Sequence, residues 1–164
     1  MKNLYIDFDG VICNTIEVTY KMLDDLGIDK KEQDKVAEFY KNLDWESVLN
    51  ICEIINDGMD NIKKIMKSEK FNVAILTHVS SINEVVAKVK YIRKYLKDVT
   101  IIPVPKAISK TNMINARFSI LVDDYPENLN EWKEAGGIGV RFDLDMDGKG
   151  FLVIDHLDEL LNLF

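Results

Sequence analysis

The sequence predicts an α/β protein, a doubly wound parallel sheet (Rossmannoid) with a small helical cap inserted after the first strand. Three observations carry that prediction. Short apolar runs recur along the chain and several end on polar residues. Amphipathic stretches with helical spacing separate the later runs, the pattern of a parallel sheet covered on both faces. The first run is followed instead by an uninterrupted series of helical stripes, about Asn14 to Lys70. No internal repeat, low-complexity tract or Pro/Gly-rich linker occurs, so this block reads as an insertion rather than a tethered domain. The expected division is a core domain of 1–13 with 71–164, and a cap of 14–70.

Residues 3–7 read as a buried strand. In the block that follows, Ile16, Tyr20 and Leu23 share one stripe, and Leu26-Gly27 is a helix stop. Val36, Phe39, Tyr40 and Leu43 recur at i, i+3, i+4, i+7, and Trp45, Val48, Leu49 and Cys52 repeat that spacing. Met59, Ile62 and Met66 mark a weaker fourth helix. Phe71 to Leu76 is a second buried strand ending at Thr77. Ser81 with Glu84 forms a capping-box pattern for a helix with Ile82, Val85, Val86, Val89, Ile92 and Leu96 on its core face. Thr100-Ile101-Ile102 is a third strand, stopped by Pro103 and Pro105. Phe118 to Val122 is the fourth, ending on Asp123-Asp124, and Pro126 opens a helix closed by Gly136-Gly137. Ile138 to Val140 and Phe151 to Ile154 are late strands, and Asp155 is expected to cap a terminal helix.

With 164 residues, 47% hydrophobic and 30% charged, the chain has the length and composition for one domain with a real core. A net charge of -7 argues against a duplex nucleic-acid binder, though not against a phosphorylated small molecule held by a cation and a lysine. Two cysteines, Cys13 and Cys52, are too few for a disulfide framework and point to a reducing compartment. No apolar run approaches the roughly 18 residues needed to cross a bilayer. Met1-Lys2-Asn3 has no signal-peptide character, and a cytoplasmic location is expected. The sequence says nothing of the oligomeric state.

The chemistry concentrates at strand ends. Ile6-Asp7-Phe8-Asp9-Gly10-Val11 delivers two carboxylates to the end of the first strand, where Gly10 lets the chain turn. Thr77 ends the second strand and a lysine, Lys106 or Lys110, follows the third. Asp123 and Asp124 end the fourth. Parallel strands present their carboxyl ends on one edge, so these groups can converge. Together they supply what phosphoryl transfer needs: an attacking carboxylate, acids for Mg²⁺, and a hydroxyl and ammonium for the phosphoryl oxygens. Lys110 is preferred over Lys106 because Ser109-Lys110-Thr111 can open a short helix.

In these four motifs the chain resembles the haloacid dehalogenase-like (HAD) superfamily over essentially its whole length, with the helical block in the place of that superfamily's first-type cap. The segments Ile6–Val11 and Val122–Leu129, with Trp132 and Ala135-Gly136-Gly137, are most similar to the 5'(3')-deoxyribonucleotidase-type branch. The resemblance implies that Asp7 is a nucleophile forming an aspartyl-phosphate. It implies that Asp9 is the acid and base, with its backbone carbonyl on Mg²⁺. Thr77 and the lysine would hold the phosphoryl group. Gly10 is expected beside the substrate, and His78, directly after Thr77, at the rim of the site, either touching substrate or with no catalytic part. Asp124 is the expected direct Mg²⁺ ligand and Asp123 its water-mediated partner, with the reverse order the alternative. The implied substrate is a small phosphorylated metabolite, foremost a (deoxy)nucleoside 5'-monophosphate. A sugar phosphate, phosphomutase chemistry, and a receiver-like or catalytically silent phosphate-binding module are the rivals.

Other conspicuous residues read as structural. Trp45, Phe39 and Tyr40 fit a packing stripe better than base stacking, and Trp132 has core spacing. His156 lies far from the motifs. Asp143-Leu144-Asp145-Met146-Asp147-Gly148 resembles half of an EF-hand loop, but Ile154 stands where its bidentate glutamate belongs, so an acidic turn is expected. Neither cysteine has a histidine at recognisable spacing, and no GxxxxGK phosphate loop occurs.

Overall fold

The computed structural model describes residues 1–164. The first strand, β1 (Lys2–Ile6), leads through a turn into four helices: α1 (Thr15–Asp25), α2 (Gln33–Asn42), α3 (Trp45–Ile51) and α4 (Gly58–Lys67). Strands and helices then alternate as β2 (Phe71–Val79), α5 (Ile82–Tyr95), β3 (Thr100–Pro105), α6 (Lys110–Met113), β4 (Ile120–Asp123), α7 (Pro126–Glu134) and β5 (Ile138–Phe142). The chain closes with β6 (Leu152–Ile154), a 3-10 turn (Leu157–Glu159) and α8 (Leu160–Leu163). No helix is long and apolar enough to cross a membrane.

The six strands form one parallel sheet in the order β3-β2-β1-β4-β5-β6. Ile6 pairs with Ile75 on one side and with Val122 on the other, which sets the ends of the three central strands level. Side chains alternate across the sheet. Leu4, Ile6, Ile75, Ile120, Val122 and Val140 face a large core shared with α3 and α4, and with Ala87 and Ile92 of α5. Leu76, Val104, Leu121, Leu129 and Trp132, with Tyr5 packed against them, fill a smaller core under α7. The fold is the doubly wound α/β arrangement expected from the alternation of runs.

The segment 14–70 that we propose as a cap is anchored rather than suspended. Trp45, Val48 and Leu49 of α3 and Met59, Ile62 and Ile65 of α4 belong to the same core as Leu4 and Ile6. Its outermost helix, α2, has no buried residue.

Several elements differ from their sequence expectations. Strand β2 continues past Thr77 to Val79. Strand β3 runs through Pro103 to Pro105, because it is an edge strand and half its amides need no ladder partner. Strand β4 starts at Ile120, since Phe118 turns outward with φ at +62°. His156, not Asp155, occupies the cap position at the C-terminal turn. The largest difference is on α5, where Ile82 and Val86 are 78% and 60% exposed while Glu84 and Lys88 are buried. Helix α5 thus turns two charged residues inward in place of two aliphatic ones. The chain stops α1 as expected, with Leu26 as its final cap and Gly27 at a φ of +69° that glycine adopts without strain.

Candidate active site

The carboxyl edge of the sheet gathers the polar residues. Asp7 follows β1, and its amide donates to the carbonyl of Val122 at 2.9 Å, holding it beside the end of β4. Lys110 arrives from the start of α6, whose cap Ser109 accepts from the Thr111 amide and is itself bonded to Glu131 of α7. The Lys110 ammonium lies 2.9 Å from Asp7 and 2.6 Å from Asp123. All three residues are buried. Of the two candidate lysines the fold brings in Lys110; Lys106 is exposed on the loop.

Asp123 and Asp124 have different surroundings. The Asp123 carboxylate accepts from the Tyr125 amide at 2.9 Å, from Asn128 at 3.0 Å and from Lys110, so both of its oxygens have protein donors. Asp124 pairs with neither buried lysine. Burial, then repulsion from Asp7, Asp123 and Asp9, pushes its pKa up to about 8. Asp7 is pushed up to about 7 by burial, with Lys110 pulling against Asp123 and Asp9.

Ligand oxygens of Asp7, Asp123 and Asp124 lie within 4.8 Å of one another. An all-oxygen set whose charges are this poorly compensated suits a hard divalent cation such as Mg²⁺. Gly10 makes room for the Asp124 carboxylate. At φ +76° it follows a path few other residues take, and a Cβ there would stand 2.4 Å from Asp124 Oδ2.

Asp9 sits apart from this cluster. Thr15 donates to its Oδ1 at 2.6 Å and Lys88 to its Oδ2 at 2.6 Å. Lys88 also reaches the Thr77 hydroxyl at 2.9 Å, the His78 carbonyl at 3.1 Å and Glu84 at 2.7 Å. Thr77 is therefore beside Asp9, 3.5 Å from Oδ2, and buried. The His78 ring is turned toward the loop after β3, with Nε2 2.9 Å from the Ile108 carbonyl; burial lowers its pKa, with that carbonyl opposing and Lys110 reinforcing.

Sequence reasoning missed Thr15, Glu84 and Lys88. The Glu84–Lys88 spacing was readable as an i,i+4 pair, but such pairs usually lie on the solvent face. The aromatic residues behave as packing elements: Tyr40 stacks on Trp45 with ring centres 6.3 Å apart, and Trp45 is buried with its Nε1 unpartnered. The 143–148 segment is a turn closed on itself, its Asp143 accepting from the Asp147 amide at 2.8 Å. Hydrogen bonding to Cys52, together with burial, pushes the Cys13 thiol up, away from nucleophilic use.

This fold is that of haloacid dehalogenase-like hydrolases. A hydrolase from Pseudomonas syringae superposes with a TM-score of 0.66 at 13% identity, covering 99% of this chain and 97% of its own. A HAD-superfamily hydrolase of subfamily IA from Geobacter sulfurreducens matches at 0.66 and 13% identity over the whole of both chains. D,D-heptose 1,7-bisphosphate phosphatase from B. bronchiseptica, complexed with magnesium and phosphate, matches at 0.62 and 14% identity, again over both whole chains. No family model matches the chain. No curated protein does either.

Proposed function

We propose that the protein is a Mg²⁺-dependent phosphomonoester hydrolase that works through an aspartyl-phosphate on Asp7. The observation that carries this reading is the buried Lys110 held between Asp7 and Asp123, with Asp124 uncompensated beside them. Asp7, Asp124 and the Asp9 carbonyl would hold the ion, with Asp123 behind them. When bound, the ion supplies positive charge against the phosphoryl oxygens and the crowded carboxylates.

The remaining work falls to the chain's own residues. Lys110 favours the ionised form of Asp7, and an Asp7 oxygen attacks phosphorus while the bond to the substrate's alkoxy oxygen breaks. Asp9 gives that oxygen its proton. Asp9 then takes a proton from water, whose oxygen attacks phosphorus of the acyl-phosphate, releasing inorganic phosphate and restoring Asp7. Thr77 and Lys110 hold the phosphoryl oxygens, and the helices of 14–70 cover the leaving group and limit water.

The nucleotidase-like motif segments make a nucleoside 5'-monophosphate the leading substrate. A sugar phosphate is the second reading, favoured by the packing of Trp45 and Tyr40 against each other and by heptose-bisphosphate phosphatases of like fold. A panel of nucleoside and sugar monophosphates, read by released phosphate with Mg²⁺ or with EDTA, decides between them. Turnover is expected only with Mg²⁺. Asp7→Asn should be inactive and yield no phosphoenzyme after acid quench and mass analysis; full activity in that variant would end the mechanism.

A further inference from the structure

Lys88 occupies a position that packing alone does not explain. It is mid-way along a 14-residue helix, 1% exposed, and its aliphatic neighbours Ile82 and Val86 face solvent. Burying an ammonium is costly, and replacing a buried ion pair with apolar side chains of similar volume is often neutral or stabilising. A lysine kept there needs another reason. Its ammonium has three protons and lies within 3.1 Å of four acceptors: Asp9 Oδ2, Glu84 Oε1, Thr77 Oγ1 and the His78 carbonyl. Two of these, Asp9 and Thr77, come from two different strand-end motifs.

The ammonium itself is immobilised. Glu84 holds it through Oε1, while Glu84 Oε2 accepts from the Ser80 amide at 2.6 Å and so is fixed at the head of α5. The rings of Phe8 and Trp45 flank it at 5.4 and 5.0 Å. A fixed cation then sets the plane of the Asp9 carboxyl, because Thr15 holds the opposite oxygen. Asp9 Oδ2 has two protein partners, Lys88 and, at 3.5 Å, Thr77, whereas Oδ1 has Thr15 alone and keeps a second lone-pair direction for proton transfer.

We propose that Lys88, braced by Glu84, is a positioning residue that orients the Asp9 carboxyl toward the leaving group and shares the Thr77 hydroxyl with it. The proposal rests on the reading of Asp9 as the proton donor to that group. It makes the effect of losing Lys88 depend on how much the leaving oxygen needs a proton, which a purely structural role would not do.

The test compares Lys88→Met with the wild-type chain on two substrates. One is an alkyl phosphate such as a nucleoside 5'-monophosphate, whose alkoxide leaves only with protonation. The other is p-nitrophenyl phosphate, whose phenolate leaves without it. The quantity read is kcat/KM, which reports only the steps through phosphoryl transfer to Asp7. Lys88→Met is expected to lose about 100-fold or more on the alkyl phosphate, the scale of general acid catalysis, and less than about tenfold on p-nitrophenyl phosphate. Glu84→Gln/Lys88→Met, which removes both charges together, should show the same split and guards against a single variant that does not fold.

Equal losses on both substrates, no loss on either, or failure of both variants to fold would overturn the proposal and leave Lys88 a structural residue. Asp9→Asn on the same pair separates this from the underlying reading. If Asp9→Asn shows the split and Lys88→Met does not, only the proposal fails. If Asp9→Asn shows no split, or the wild-type chain is inert on every phosphomonoester, the reading of Asp9 fails and the proposal with it.

Discussion

Two buried lysines stand within the same site, and they are built alike. Lys110 bridges Asp7 and Asp123; Lys88 bridges Asp9 and Glu84. Burial pulls both ammonium groups toward the neutral form, but the carboxylates around each more than offset it, and both pKa values end up raised. Their mountings differ. Lys110 opens a four-residue helix reached from a loop, whereas Lys88 is locked in a long helix between two rings. Their carboxylates differ as well. The side chains of Asp7 and Asp123 are at most 9% exposed, and that of Asp9 is 21% exposed. On the proposed mechanism Lys110 would neutralise charge where phosphorus is attacked, and Lys88 would orient the more exposed carboxyl of Asp9.

Removing Lys110 should break that parallel most severely. Lys110→Met leaves Asp7 and Asp123 unpaired in the interior, and losing one partner of a buried pair costs about 3–5 kcal/mol. Urea unfolding should register a loss of that size. The variant should also lose at least about 100–1,000-fold in kcat/KM, the cost of deleting one electrostatic contact to the transition state. The loss should be the same for alkyl and p-nitrophenyl phosphates, because neutralising Asp7 and the phosphoryl oxygens does not depend on the leaving group. A leaving-group split in Lys110→Met would mean that the two lysines do not divide the work as their geometry implies.

A smaller effect probes the uncompensated side of the site. Asp7 and Asp124 titrate near 7 and 8 in the folded chain without metal, above the ordinary carboxylate range near 4 they keep when unfolded. Between those limits the folded state binds more protons than the unfolded one, so stability falls as pH rises. The contribution is fully present below about pH 4 and is lost as pH climbs through about 7 to 8. The melting temperature of the metal-free protein should drop over that window, and Mg²⁺ should raise it most at the alkaline end. Asp124→Asn removes one of the two titrations and should flatten the slope. A metal-free protein whose melting temperature rises from pH 5 to 8 at constant salt, with Asp124→Asn unchanged from wild type, would contradict the assignment.

How much of this was legible in the sequence follows from what each residue's signal depends on. Asp7, Thr77 and Asp124 were readable because a strand end is marked by an apolar run that stops, and parallel strands share an edge; Lys110 was separated from Lys106 only by Ser109-Lys110-Thr111, which can open a short helix. Gly10 was readable as a turn residue, but its clearance for Asp124 was not, since that contact joins residues 114 positions apart in chain order. The strand through Pro103 and Pro105 was hidden because proline is compatible only with an edge, and edge position is a property of the whole sheet. Lys88 and Glu84 were hidden for a different reason. Helical periodicity assigns the apolar side to the core, and on α5 the residues turned inward against that pattern are Glu84 and Lys88, with Lys88 bonded to Asp9 and Thr77.

That conflict on α5 supplies the smallest expected effect. If the helix is oriented by Glu84 and Lys88, then Ile82 and Val86 contribute little to folding although their spacing marks them as core. Ile82→Gln and Val86→Gln should each shift stability by no more than about 0.5 kcal/mol, the usual range for exposed positions. Ile92→Ala, about two to three turns further along and fully buried, should cost about 2–5 kcal/mol. Denaturant midpoints at equal slope give the comparison directly. Losses above 2 kcal/mol at Ile82 and Val86 would mean that the aliphatic face is the packed one. Lys88 would then have to point outward, and the orientation of Asp9 would need a different support.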